Sequence, residues 1–231
     1  MPTITTTADN SDSWVRNSLA LASGNWADTQ GSVLTTGTGQ NNVSTYYSFA
    51  IYNARLAGRG ADTYYNGRAF FEFDLSGESG TATAATFKTN MRHMGTSAGT
   101  EDEIIIVGAT ALAGSTADYG NVYSSGTTWG TGYSSNFAVS SSSAIQTVTL
   151  NADAITAINS AIGSGNFVCA SVGTHYDYLG NDPPLQDTGG LYTNIKMDYA
   201  DHGTAARRPT LTTTTSVAAV TDNATFFGAN F

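Results

Sequence analysis

Three observations predict an all-β fold, an antiparallel two-sheet β-sandwich of jelly-roll form with one short helix. The 231-residue chain is rich in Tyr, Phe, Thr and Val, which suit a pleated, half-buried surface, and poor in the Lys and Glu that fill exposed helices. Its apolar runs are short, and the clearest of them alternates with polar residues. Gly, Asn, Ser and Asp punctuate those runs, as turns between strands require. A chain of this length buries a sizeable core as one unit without staples.

Taken in order, Asp9-Asn10-Ser11-Asp12-Ser13 is turn-forming, and Trp14, Val15, Leu19 and Leu21 mark a short, partly buried stretch. Residues 24–42, dense in Gly, Thr and Asn, read as short strands and loops. Residues 43–52 read as a strand. Asn66-Gly67 is a turn signal, since both residues tolerate positive φ. The strand 68–75 follows, with Ala69, Phe71, Phe73 and Leu75 on one face and Arg68, Phe70, Glu72 and Asp74 on the other. Further strands are expected at 84–91, 104–109 and 145–150. Between the last two, 113–143 is a Gly-, Ser- and Tyr-rich segment of extended loops, long enough to invite a functional role. The helix is expected after Asn151 or Asp153, either of which can cap it. Ile155, Ile158 and Ile162 recur at helical spacing, and Gly163 ends it. An apolar strand at 166–172, a polar aromatic loop at 173–190 and strands at 194–199 and 210–214 complete the pattern.

Charge narrows the function. Charged residues make up 12% of the chain, the formal net charge is −9 and the pI is near 4.5. Nucleic-acid binding is therefore not expected, because phosphate contacts need clustered Lys and Arg. The single Cys169 allows no internal disulfide. The first ten residues lack the basic and apolar regions of a secretory signal. No stretch approaches the roughly 20 apolar residues that span a bilayer.

Catalytic and metal patterns are weak. Gly95-Thr96-Ser97-Ala98-Gly99 matches a nucleophile elbow, but a strand rather than a helix is expected after it. His93, His175 and His202 lack the close spacing of a zinc site. Asp198, Asp201 and His202, or Glu101-Asp102-Glu103, are the groups that could take calcium through carboxylates; otherwise no cofactor is expected. Glu72 and Asp74 share a strand face at roughly 7 Å, as a glycoside-cleaving pair would. No catalytic residue is assigned. Tyr119, Tyr123, Trp129 and Tyr133 lie in the Gly-rich loop and are candidates for loop packing, a protein interface or stacking on a sugar. Trp14 and the tail residues Phe226, Phe227 and Phe231 are candidate interface groups, as three Phe in six residues call for cover, either by folding back on the same domain or by docking onto a neighbouring chain.

The order of parts resembles a broad group of jelly-roll modules found in bacterial surface proteins, carbohydrate-binding modules and phage virion proteins. An Arg-led strand ends in Phe73-Asp74-Leu75-Ser76, and Ala84-Ala85-Thr86-Phe87 follows. Leu150-Asn151 then leads into a short helix and an apolar strand. Asp201-His202-Gly203-Thr204 precedes Pro209-Thr210-Leu211. The resemblance spans roughly residues 60 to 215. The domain reading is an N-terminal arm with first strands (1–59), the sandwich (60–215) and a C-terminal aromatic tail (216–231). What the resemblance implies is a non-enzymatic phage capsid decoration or cement protein on the virion surface. Its expected partners are the major capsid protein and copies of itself, with a trimer expected and neither nucleic acid nor membrane bound. The alternative is a carbohydrate-binding module or adhesin, on a virion fibre or outside a cell.

Overall fold

The computed structural model describes residues 2–8, 12–20, 25–31, 39–40, 48–58, 62–95, 101–110, 112, 116–125, 128–186 and 194–216. The strands are β1 (Thr3–Thr7), β2 (Ser13–Ala20), β3 (Gly39–Gln40), β4 (Ser48–Leu56), β5 (Thr63–Asp74), β6 (Thr81–His93), β7 (Glu103–Gly108), β8 (Tyr123–Ser125), β9 (Thr128–Trp129), β10 (Phe137–Ala138), β11 (Ala144–Thr149), β12 (Asn166–Gly173), β13 (Leu185–Gln186), β14 (Asn194–Met197) and β15 (Thr210–Ser216). Two α-helices, α1 (Trp26–Gln30) and α2 (Ala152–Ala161), lie among them. The fold is all-β and predominantly antiparallel, as the composition predicts.

Thirteen strands share one continuous sheet in the order β1-β15-β6-β14-β4-β5-β12-β7-β10, with β11 on β6, β2 on β5, β13 on β4 and β3 on β2. The only parallel pairing among the described residues is β13 with β4. Two separate sheets were expected. One sheet is found instead, because β14 pairs along its whole length, Asn194 to Met197, with β4 and through Ile195 to Met197 with β6.

The main core gathers Phe71 and Phe73 of β5, Phe87 and Met91 of β6, Phe167 and Cys169 of β12, and Leu211 of β15. Phe71 and Phe87 belong to strands that share no ladder, yet their rings meet at 5.0 Å. Ala69, Phe71, Phe73 and Leu75 all face this core, as alternation predicts. Helix α2 covers it with Ala154, Ile158 and Ala161. Asn151 caps the helix by accepting from the backbone N–H groups of Asp153 and Ala154, and Gly163 follows the last turn at φ 74°. Asn159 ties the helix to β6 by bonding both backbone groups of Ala82.

The opposite face of β5, β12 and β7 is buried as well. Phe70, Ile105, Val107, Ala170 and Val172 pack there beneath Tyr119 and Val122. Double burial explains the unbroken apolar runs Ile104–Val107 and Phe167–Ala170, which alternation alone does not anticipate. On β1, β15, β6 and β11 one face is instead polar. There the register aligns Thr5, Thr212, Thr86 and Thr149 in a single row.

Asn66-Gly67 does not form a turn. Both residues sit inside β5, paired with β2 on one side and β4 on the other. Asn66 holds its place through side-chain bonds, donating to Tyr119 Oη and Asp177 Oδ1, each at 2.8 Å, and accepting from Asn53. A short 3₁₀ segment at Thr116–Val122 and a π turn at Thr174–Tyr178 occupy regions read as loop. The tail with Phe226, Phe227 and Phe231 lies outside the described residues, as does most of Gly95–Gly99. Trp14 lies in β2 opposite Ala69 and Gln40, and its side chain is outside the description.

Candidate functional site

The densest polar and aromatic constellation is built around Arg68. Its position on β5 turns it away from the main core, toward Tyr119, Tyr123 and Trp129, where it has no solvent exposure. An isolated buried guanidinium is costly, so it needs an acid and a full set of acceptors. Asp177 on the π turn supplies the acid. Arg68 Nε donates to Asp177 Oδ2 at 2.7 Å, and Nη2 donates to Oδ1 at 2.8 Å. Nη1 donates to the carbonyl of Tyr119, and Nη2 also reaches the Gln30 carbonyl and Tyr123 Oη.

Three rings surround the cation. The guanidinium carbon lies 4.2 Å from the centre of Tyr119, and 5.0 Å from those of Tyr123 and Trp129. A cation over an aromatic face is attracted by the ring quadrupole, more so when water is excluded. Burial is the largest single influence and disfavours the charged guanidinium, but the Asp177 charge and hydrogen bond, together with the Tyr119 and Tyr123 oxygens, outweigh it and hold Arg68 protonated. Burial pushes the Tyr119 hydroxyl well above its ordinary value. That hydroxyl donates to the Thr29 carbonyl at 2.6 Å, and Tyr123 Oη donates to the Gln30 carbonyl.

The turn that carries Asp177 is held from behind by Glu101. One carboxylate oxygen, Oε2, accepts from the backbone N–H groups of His175 at 2.8 Å and Tyr176 at 2.9 Å. Desolvation pushes Glu101 up to about 7, against the pull of those N–H donors. Gly173 makes the close approach possible. A Cβ there would stand 2.1 Å from Asn53 Oδ1 and 2.8 Å from Glu101 Oε2.

Beside the cage lies a groove of about 250 Å³ lined by Gln30, Tyr123, Trp129, Tyr178, Leu179 and Gly180, among others. Trp129 sits between two rings, Tyr123 at 4.9 Å and Tyr178 at 5.3 Å between centres. Leu179 at the rim is 62% exposed. Gln30 Nε2 donates to the carbonyls of Tyr176 and Asp177, while its Oε1 takes no hydrogen bond among the described residues.

The four loop aromatics therefore divide. Tyr119 is fully buried, and Tyr123 and Trp129 are half-buried at the cage. Tyr133 is elsewhere, stacked on Phe167 at 5.5 Å. Asp177, Asn66, Gln30 and Tyr178 were not anticipated. The signal for Asp177 was present in the Arg68 strand itself, since an Arg on a strand with little room for solvent demands a buried acid.

Of the other candidates, Asp198 and His202 are brought together, with His202 Nε2 4.0 Å from Asp198 Oδ2. Glu72 accepts from Asn166 Nδ2 at 2.8 Å, and Asp74 is exposed and accepts from the Ser76 N–H. A groove of about 400 Å³ runs past Glu72, Tyr133 and Asn166, and Asp74 is not in its walls. Asp198 is buried against Arg207, whose Nε donates to it at 2.6 Å. His93, His175 and His202 lie on separate elements, and no group of three or more His, Cys, Asp or Glu converges among the described residues. No helix among those residues is long and apolar enough to cross a membrane. No family model matches the chain, and no curated protein matches it.

Proposed function

We propose that this chain is a non-enzymatic virion protein that decorates a phage capsid, lying across joints between shell subunits and fastening them. The observation that carries the reading is the polar face of β1, β15, β6 and β11. Thr3, Thr5, Thr7, Thr147 and Thr149 are exposed on it, Thr86, Thr212 and Thr214 are half-buried, and Lys88 is its one charge in the aligned rows. Covering such a face desolvates few charges, and interface centres are depleted in charge for that reason. Short hydroxyl side chains also lose little conformational entropy when covered. Ile145, 47% exposed on β11, adds an apolar contact at its margin.

The jelly-roll form of the fold belongs to the same proposal. Its support is the link that β14 makes between β4 and β6, with a register shift against β4 between Ile195 and Lys196, and the contact of Phe71 with Phe87 across strands that share no ladder. Partners under this reading are the major capsid protein and further copies of the chain, arranged as a closed cyclic trimer. The tail Phe226, Phe227 and Phe231 would fasten neighbouring subunits.

The test is to raise an antibody against the purified chain and apply it to intact particles of the virus that encodes it. Labelling spread over the head, and heads that rupture at lower temperature when the chain is deleted, are the expected results. Particles that lack the chain, or that carry it only on fibres, would sink the reading.

A further inference from the structure

We propose that the free edge of β1 pairs with β1 of a second copy of this chain, antiparallel and about a two-fold axis that passes beside Thr5. In the ladder with β15, the Pro2 carbonyl accepts from the Thr215 N–H and the Ala8 N–H donates to the Pro209 carbonyl. The register between these points is unbroken, so the even-numbered residues of β1 bond to β15. Thr3, Thr5 and Thr7 therefore turn their backbone N–H and C=O groups the other way. All three are exposed, and nothing among the described residues takes those groups. Such an edge is a template for another strand, and proteins that stay apart guard it with charge, proline or a bulge. Thr3-Ile4-Thr5-Thr6-Thr7 has none of these. At the other margin of the threonine face, β11 instead shares a groove with Ser135, Asn136 and Phe137.

Two features single out a second copy as the occupant. The edge is self-complementary, as a two-fold contact requires. With Thr5 opposite Thr5, Thr3 falls opposite Thr7 and Thr7 opposite Thr3, and each pair exchanges two hydrogen bonds. Ile4, half-buried on the other face, meets Thr6 of the second copy. Charge is the second feature. Each copy carries a formal net charge of −9, so two copies repel wherever acidic surfaces meet. Residues 2–8 and 209–216 hold no charged side chain, and an approach along this strip sets no like charges against one another. The axis runs perpendicular to the sheet, so the two threonine faces point the same way and form one surface. The pairing needs only this chain in solution and does not rest on the capsid reading; where that reading holds, it joins one trimer to the next.

The test is disulfide crosslinking of the full chain, in which the native Cys169 is fully buried and gives no background. Directly opposed residues in such a pair have Cα atoms about 5.5 Å apart, within disulfide reach. Thr5→Cys is expected to form a linked dimer under mild oxidation at micromolar concentration. Thr3→Cys and Thr7→Cys, equally exposed, should stay monomeric alone and link to one another when mixed. Adding Thr5→Pro to both chains of that mixture should cut the linked fraction about tenfold, because it removes two hydrogen bonds between copies and spares those to β15. A Thr5→Cys chain that remains monomeric, or a Thr3→Cys chain that links to itself as readily, overturns the proposal. Either result leaves the labelling of particles, and the capsid reading with it, untouched.

Discussion

Arg68 and Asp177, 109 residues apart in sequence, meet at 2.7 Å with neither side chain exposed to solvent. This one contact ties β5 to the turn after β12, and through shared acceptors it also holds α1 and the 116–122 segment. Removing one member strands the other charge in the interior. Asp177→Ala is expected to cost about 3–5 kcal/mol in urea unfolding, whereas the double change Arg68→Met, Asp177→Leu should recover much of that loss. A single-variant cost under about 1 kcal/mol would mean that the cage does not hold these segments together.

Gly173 has an ordinary φ of −65°, so its requirement is purely spatial. Gly173→Ala forces a Cβ into Asn53 Oδ1 and Glu101 Oε2. A destabilisation of about 2–4 kcal/mol is expected. In an Asn53→Ala background the penalty should shrink, which a double-mutant cycle reads directly.

Glu101 sets a pH dependence. Desolvation is the main cause of its rise to about 7 from an ordinary value of 4.5. Between those two values the folded state holds a proton that the unfolded state has released, so stability falls as pH rises through this window. The full penalty is present above pH 7 and is on the order of 3 kcal/mol. Glu101→Gln should flatten the stability profile between pH 5 and 8. A wild-type profile that rises across the same interval would contradict this account.

Cys169 is fully buried in the main core, and burial pushes its thiol far above the ordinary range. Thiol reagents act on the thiolate. Labelling of the native chain at pH 8 should therefore proceed no faster than unfolding, and should become rapid in denaturant.

Asn151 does two jobs. It caps α2, and its Nδ2 donates to the Gly132 carbonyl at 2.7 Å. Asn151→Ala is expected to cost about 1–2 kcal/mol, and Asn151→Asp, which keeps the cap but loses that donor, should cost less. Equal losses for the two variants would assign the effect to the Gly132 bond alone.

What the sequence revealed follows from the range of the interactions involved. The face of β5 that carries Phe71 and Phe73, and the Asn151 cap, depend on neighbours a few residues away and were legible. Asn66-Gly67 misled because its local preference for a turn is overridden by partners 53 and 111 residues distant. The aromatic loop was recognised as notable, but its role depends on Arg68, which the strand pattern places without naming a partner. That one sheet forms where two were expected rests on the dual pairing of β14, a four-residue strand whose composition carries no mark of it.

The pairing of β1 with β15 also sets how the molecule answers tension. Thr3 lies opposite Thr214, and the Pro2 carbonyl accepts from the Thr215 N–H, so the first and last described strands start and finish at one pole. A pull applied between those two points acts across the ladder and opens its rungs one at a time, as a zipper opens. The six aligned pairs of β5 and β12, covered on both faces, are loaded only after β1 has peeled away. Under load the threonine margin yields first, at low force, and the aromatic centre keeps its shape.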